Sequence, residues 1–87
     1  MSNETLEIRL KRLRMRSWRR GTKEMDLILG PFADDGIARL SSGELDVYEQ
    51  LLDENDHDLY RWFSEQVAAP PEFVALVAII SADLPSF

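Results

Sequence analysis

The 87-residue chain contains no cysteine, one histidine, four glycines and four prolines. Without cysteine there is no disulfide framework, no thiolate metal site and no thiol chemistry, and a reducing compartment fits. Because His57 is the sole histidine, neither a His-based metal cluster nor a Ser/His/Asp triad can be assembled. Catalysis by this chain alone is therefore not expected, nor is a bound metal. Glycine and proline are too scarce for a disordered chain, and 45% hydrophobic with 30% charged residues fits a soluble folded domain. No apolar run approaches the roughly 20 residues that cross a bilayer. The longest, Phe73 to Ile80, is eight residues and reads as the face of a core helix, so no membrane insertion is expected. The N-terminus lacks the apolar stretch of a secretory signal. It is Arg-rich like an organelle transit peptide, but Glu4 and Glu7 count against one. The expectation is a bacterial-type cytoplasmic protein. At this length it is one helical domain over residues 1–87, with an ordered core at about 4–83 and a frayed tail at 84–87.

Charge of one sign is also scarce on each side of residue 23. Residues 1–23 hold eight of the ten Lys and Arg residues against only Glu4 and Glu7, a net of +6. Residues 24–87 hold Arg39 and Arg61 against fourteen acids, a net of −12. The sign changes at Arg19-Arg20-Gly21-Thr22-Lys23-Glu24, with a glycine at the seam.

What is abundant is helical periodicity. Residues 4–19 place Leu6, Leu10 and Leu13 on one stripe widened by Ile8, Met15 and Trp18, with acids first and arginines last, as the helix dipole favours. Gly21 suits the left-handed position after that helix. Thr22 then caps a second helix, running into the mid-thirties, whose apolar face is Met25, Ile28, Leu29 and Phe32. Gly30-Pro31 should kink or restart it, because Pro31 has no N–H for Leu27. Ser41 and Glu44 have capping-box spacing before a third helix carrying Leu45, Tyr48, Leu51 and Leu52. Asp56 is placed to cap a fourth helix with Leu59, Trp62 and Phe63, stopping before Pro70-Pro71. Pro71 opens a fifth, with Phe73, Val74, Val77 and Ile80 inward. The pattern is an all-α, compact five-helix bundle.

Several features carry candidate chemistry. The basic first helix offers cations for nucleic acid or an anionic membrane. The overall charge of −6 and the absence of any nucleic-acid motif weigh against both. Docking on an acidic protein patch, or on the chain's own acidic helices, fits the same cations as well. The run Asp53 to Asp58 has the composition of a calcium loop but lacks the glycine and glutamate that an EF-hand needs at its sixth and twelfth positions. It reads as a capped turn. Trp62 reads as core, and Trp18 is divided between core and surface. Arg20-Gly21-x-x-Glu24 reads on composition alone as a rigid capped corner, with Arg20 and Glu24 able to pair across it.

Arg20-Gly21-Thr22-Lys23-Glu24, its continuation Met25-Asp26-Leu27, Pro31-Phe32, Leu51-Leu52-Asp53 and Asp58-Leu59-Tyr60-Arg61-Trp62 occur in an order that resembles the succinate dehydrogenase assembly factors. These small five-helix proteins promote covalent attachment of FAD to the flavoprotein subunit. The resemblance covers roughly residues 8–80 and implies a binding protein, not an enzyme. Its partner would be the flavoprotein subunit of succinate dehydrogenase, and in bacteria that of the related fumarate reductase; nucleic acid is not a partner, and the free chain is expected to be a monomer. FAD would be held by that partner, with none held stably here, and the histidine that bonds the flavin would be the partner's. Arg20, Gly21 and Glu24 match the family's Arg-Gly-x-x-Glu motif; Asp26, Arg19 and Arg16 are weaker partner-binding candidates. The chain departs from the family in its short acidic tail and in Trp18 and Thr22, which bears on the contact details and not on the class.

Overall fold

A computed structural model describes residues 4–84. The chain forms α1 (Leu6–Ser17), α2 (Lys23–Asp35), a single 3-10 turn (Ile37–Arg39), α3 (Ser42–Leu52), α4 (Asp56–Phe63) and α5 (Pro71–Asp83), with no strand among the described residues. The all-α, five-helix expectation is met. Residues 85–87 of the expected frayed tail lie outside the described residues, whereas Leu84 packs against the core.

The start signals act as their chemistry dictates. Thr5 accepts from the Ile8 N–H and Thr22 from the Met25 N–H. Ser41 and Glu44 complete a reciprocal box, at 3.1 and 2.8 Å. The fourth helix is capped by Asn55, whose side chain accepts from the Asp58 N–H, not by Asp56 as expected. Asp56 has a different task, described below.

One core gathers Leu13, Met25, Leu29, Tyr48, Leu51, Leu59 and Ile80, all fully buried, with side chains from all five helices. The Phe32 and Tyr48 rings meet at 5.8 Å, and Trp62 stacks on Phe73 at 5.7 Å, so Trp62 belongs to the packing. Two packing expectations fail. Leu6, expected on the buried stripe of α1, and Ile8, Met15 and Trp18, expected to widen it, are all exposed; Leu10, Leu13 and Ser17 face inward, one helical spacing apart. Val74 is exposed and Leu76 takes its place, which keeps the three-to-four-residue spacing with Phe73 and Ile80. Of the two alternatives for Gly30-Pro31, the restart is ruled out, since α2 runs unbroken through to Asp35. Leu27, whose carbonyl Pro31 cannot bond, and Pro31 itself are both exposed, so the missing bond falls on the solvent side of the helix.

α4 ends at Phe63, well short of Pro70. Glu65 sits at φ 62°, and the Gln66 N–H reaches back to the Arg61 carbonyl at 2.9 Å, the wrap of a Schellman end without its usual glycine.

Candidate functional site

The basic first helix is largely neutralised from within the chain. Arg9 donates to Asp46 at 2.7 Å and Glu49 at 3.1 Å, and Arg12 to Glu4 at 2.8 Å, with a further contact to Glu49 at 2.9 Å. Arg16 pairs with Asp53 at 2.8 Å. Arg14 stands 3.9 Å from Asp34. The Arg12 and Arg9 guanidiniums hold the Glu49 carboxyl below its ordinary range. Most of the arginines that made a phosphate-binding face conceivable therefore bind the acids of α2, α3 and the α3–α4 turn. Of the eight cations before Glu24, the side chains of Lys11, Arg19 and Lys23 remain unpaired among the described residues, too few for a phosphate-tracking stripe.

At the seam the geometry is tighter. Arg20 does not pair with Glu24; its side chain is only 10% exposed and turns inward. Its Nε donates to Asp56 Oδ1 at 2.7 Å, its Nη1 to the Leu52 carbonyl at 2.7 Å and its Nη2 to the Glu54 carbonyl at 2.8 Å. Those carbonyls lie at the end of α3 and in the following turn, where they have no helical partners and cations are favoured. The second oxygen of Asp56 accepts from the Gly21 N–H, and Asp26 accepts from the Arg20 N–H at 2.8 Å. Five bonds thus tie the α1–α2 corner to itself and to the α3–α4 turn.

Gly21 is not the left-handed end of α1. Among the described residues no glycine has positive φ, and α1 ends earlier, capped at Trp18. The need for glycine is one of proximity, since a Cβ there would stand 3.2 Å from Asp56 Oδ2. Gly30 has a similar role for Trp18, as a Cβ at Gly30 would lie 2.5 Å from the indole ring. The ring lies over α2 with Nε1 donating to Asp34 at 3.0 Å while remaining 41% exposed.

The sequence-selected residues fall on two surfaces either side of Arg20. Arg16 and Arg19 border an open depression on α1 with Met15. Glu24 lies on the other side. Its side chain makes no hydrogen bond or ion pair among the described residues, and it stands on the rim of two adjoining clefts. One, of about 270 Å³, is lined by Thr22, Glu24, Asp56, His57 and Tyr60. The other, of about 390 Å³, runs between α2 and α4 past Leu27, Ile28, Tyr60, Phe63 and Leu84. Leu27 and Tyr60 are the exposed apolar groups of this face, at 49% and 41%. Asp26 is half-buried in its bond to Arg20.

The residues sequence reasoning missed are Asp56, Leu27 and Tyr60. An acidic turn in a chain whose other end is a basic corner was the available signal for Asp56. For Leu27 it was an apolar residue off the buried stripe of its own helix.

Residues 11–83 match the family described as flavinator of succinate dehydrogenase. The chain is 41% identical over 70 residues to succinate dehydrogenase assembly factor 2, mitochondrial, of Meyerozyma guilliermondii, covering 80% of this chain and 52% of that protein. It is 42% identical over 72 residues to the protein of that name from Schizosaccharomyces pombe, covering 83% and 52%. Against assembly factor 2-A of Drosophila willistoni it is 37% identical over 73 residues, covering 82% and 46%. The chain spans about half the length of these relatives. All three are named mitochondrial, which overturns the expectation of a bacterial-type cytoplasmic protein. That expectation leaned on Glu4 and Glu7, yet residues 4–17 are helix, cap and ion pair, so their composition reports folding and not address. With the match running from α1 to the end of α5, the chain belongs to the flavinator of succinate dehydrogenase family.

Proposed function

We propose that the chain is an assembly factor that docks on the flavoprotein subunit of succinate dehydrogenase and promotes covalent attachment of FAD to a histidine of that partner. The observation that carries this reading is the family match over residues 11–83, and the names of the relatives support it. The corner supports a choice of docking face. Gly21 and Glu24 are exposed, fixed by the clamp beneath them and bordered by an apolar cleft, the combination of rigid charge and apolar area that binding faces use. The related fumarate reductase flavoprotein is a second substrate of the same kind.

The role is positioning and not catalysis. Holding imidazole and flavin in near-attack geometry lowers a barrier without any reacting group from the helper. FAD is the substrate of the partner's reaction and is not resident here. The α2–α4 cleft is lined by apolar side chains with one carboxylate at its rim, whereas a dinucleotide's diphosphate calls for cations or a run of backbone N–H groups.

The test is to co-express the flavoprotein with wild-type, Gly21→Arg or Glu24→Ala factor and measure the flavin retained after denaturation. Both variants should lower covalent flavin. Undiminished attachment with both would remove the motif from the mechanism.

A further inference from the structure

We infer that Asp56 is a positioning residue for flavinylation, acting through Gly21 and Glu24, and that Arg20 serves the same clamp from the other side. The inference rests on the function proposed above. Arg20 and Asp56 are only 10% and 13% exposed. Three of the five guanidinium N–H donors of Arg20 are bonded internally, one on each nitrogen, so the side chain is held to the corner and the α3–α4 turn. Asp56 is bidentate in a particular sense, one oxygen on the Arg20 guanidinium and the other on the Gly21 N–H. It therefore fixes the backbone at the glycine and the side chain before it. Two residues further the chain enters α2 at Lys23, and Glu24 projects from that first turn. Asp56 begins α4, which also carries His57 and Tyr60. One carboxylate thus sets the distance between the two helix starts that frame the cleft containing Glu24, His57 and Tyr60.

A guanidinium fork reaching two carbonyls and a carboxylate cannot be replaced by a point charge. Arg20→Lys should behave like a loss of the clamp even though the charge remains. Asp56→Asn presents an amide N–H₂ where one of two donors must be accepted, so it also breaks one arm while keeping size and shape.

The experiment uses the full chain. Amide hydrogen exchange and the Gly21 amide proton shift are measured by NMR for wild type, Asp56→Asn and Arg20→Lys, alongside thermal melts and the retained-flavin assay. In Asp56→Asn the Gly21 amide should lose its protection while the melt stays cooperative. Its flavinylation rate should fall roughly 10- to 100-fold, the scale of an ångström-level misplacement. A covalent flavin yield and rate equal to wild type, with the Gly21 amide released, would overturn the inference. Loss of the cooperative melt in Asp56→Asn would also overturn it, assigning Asp56 to folding alone. If Gly21→Arg and Glu24→Ala leave flavinylation intact, the proposed function of the motif fails instead, an outcome separate from the Gly21 amide signal, which needs no partner.

Discussion

Ser17 is the only fully buried polar residue among the described residues, and its exchange with Tyr48 allows the energetics of the α1–α3 contact to be worked out bond by bond. The Ser17 hydroxyl donates to the Leu13 carbonyl at 2.8 Å and lies 2.6 Å from Tyr48 Oη. With the serine proton committed, Tyr48 must be the donor of the second bond. Tyr48→Phe then removes a donor and leaves Ser17 satisfied, a loss of about 1 kcal/mol. Ser17→Ala instead strands a buried O–H, at about 1 to 3 kcal/mol. In a domain of this size each 1 kcal/mol moves the melting temperature by about 4 to 8 °C. Ser17→Ala should melt lowest of the single variants, and the double variant should melt above it, because no unpaired group remains. Burial also pushes the Tyr48 hydroxyl up from its ordinary 10.0 to about 12. A raised folded value means the stabilisation is complete below pH 10 and is lost as pH climbs toward 12, an amount of roughly 3 kcal/mol for two units. Tyr48→Phe should flatten that alkaline decline in melts recorded across the window. Equal costs for the two single variants, or a double variant equal to their sum, would refute the assignment of donor and acceptor.

Two other perturbations separate packing from charge. Gly30→Ala should gain about 1 kcal/mol of helix propensity and lose more by overpacking, about 1 to 3 kcal/mol, since its Cβ would stand 2.5 Å from the Trp18 ring. In a Trp62→Phe background the emission should shift to the red as the indole is displaced; a higher melting temperature with unchanged emission would count against it. Glu49→Gln tests the α1–α3 ion pairs: hydrogen bonding by Arg12, then Arg9, depresses the Glu49 carboxyl below its ordinary 4.5. Its stabilisation is therefore present above that value and fades as pH falls. Because Glu49 is 30% exposed, the contribution is no more than about 1 kcal/mol. Acid titration of the melt should show a shallower decline for the variant, and identical curves would place the acid sensitivity elsewhere.

The helices were legible in the sequence because their signals are local. Ser41 with Glu44, Thr22, and Pro71 at a first helical turn depend on neighbours within a few residues, and each starts a helix where expected. The two misread helix features, Asp56 as a cap and Gly21 as a left-handed end, share one cause. Asp56 and Gly21 are 35 residues apart and bonded to each other, and that partnership displaced the local roles their types suggest. The α5 face was misread at Val74 because eight successive apolar residues carry no periodicity to say which of them turn inward. The left-handed Glu65 gave no signal, since glycine is the residue that announces that conformation.

The same distinction bears on the motif itself. Its three fixed residues look equivalent on paper, yet the fold divides them. Arg20 points into the protein and spends its donors on the end of α3; Gly21 is bare because Asp56 comes close; Glu24 alone points outward without a partner. A substitution at Arg20 would then act by letting the corner move, whereas one at Glu24 would act at the docking face with the corner unchanged. The charge asymmetry follows the same logic. Basic residues before the seam and acids after it are largely matched to one another across α1, α3 and the turn. What remains exposed beside the corner is an apolar cleft with one free carboxylate. Docking there relies on shape and buried apolar area at a fixed corner, and the cations that dominate the first 23 residues serve mainly to fix it.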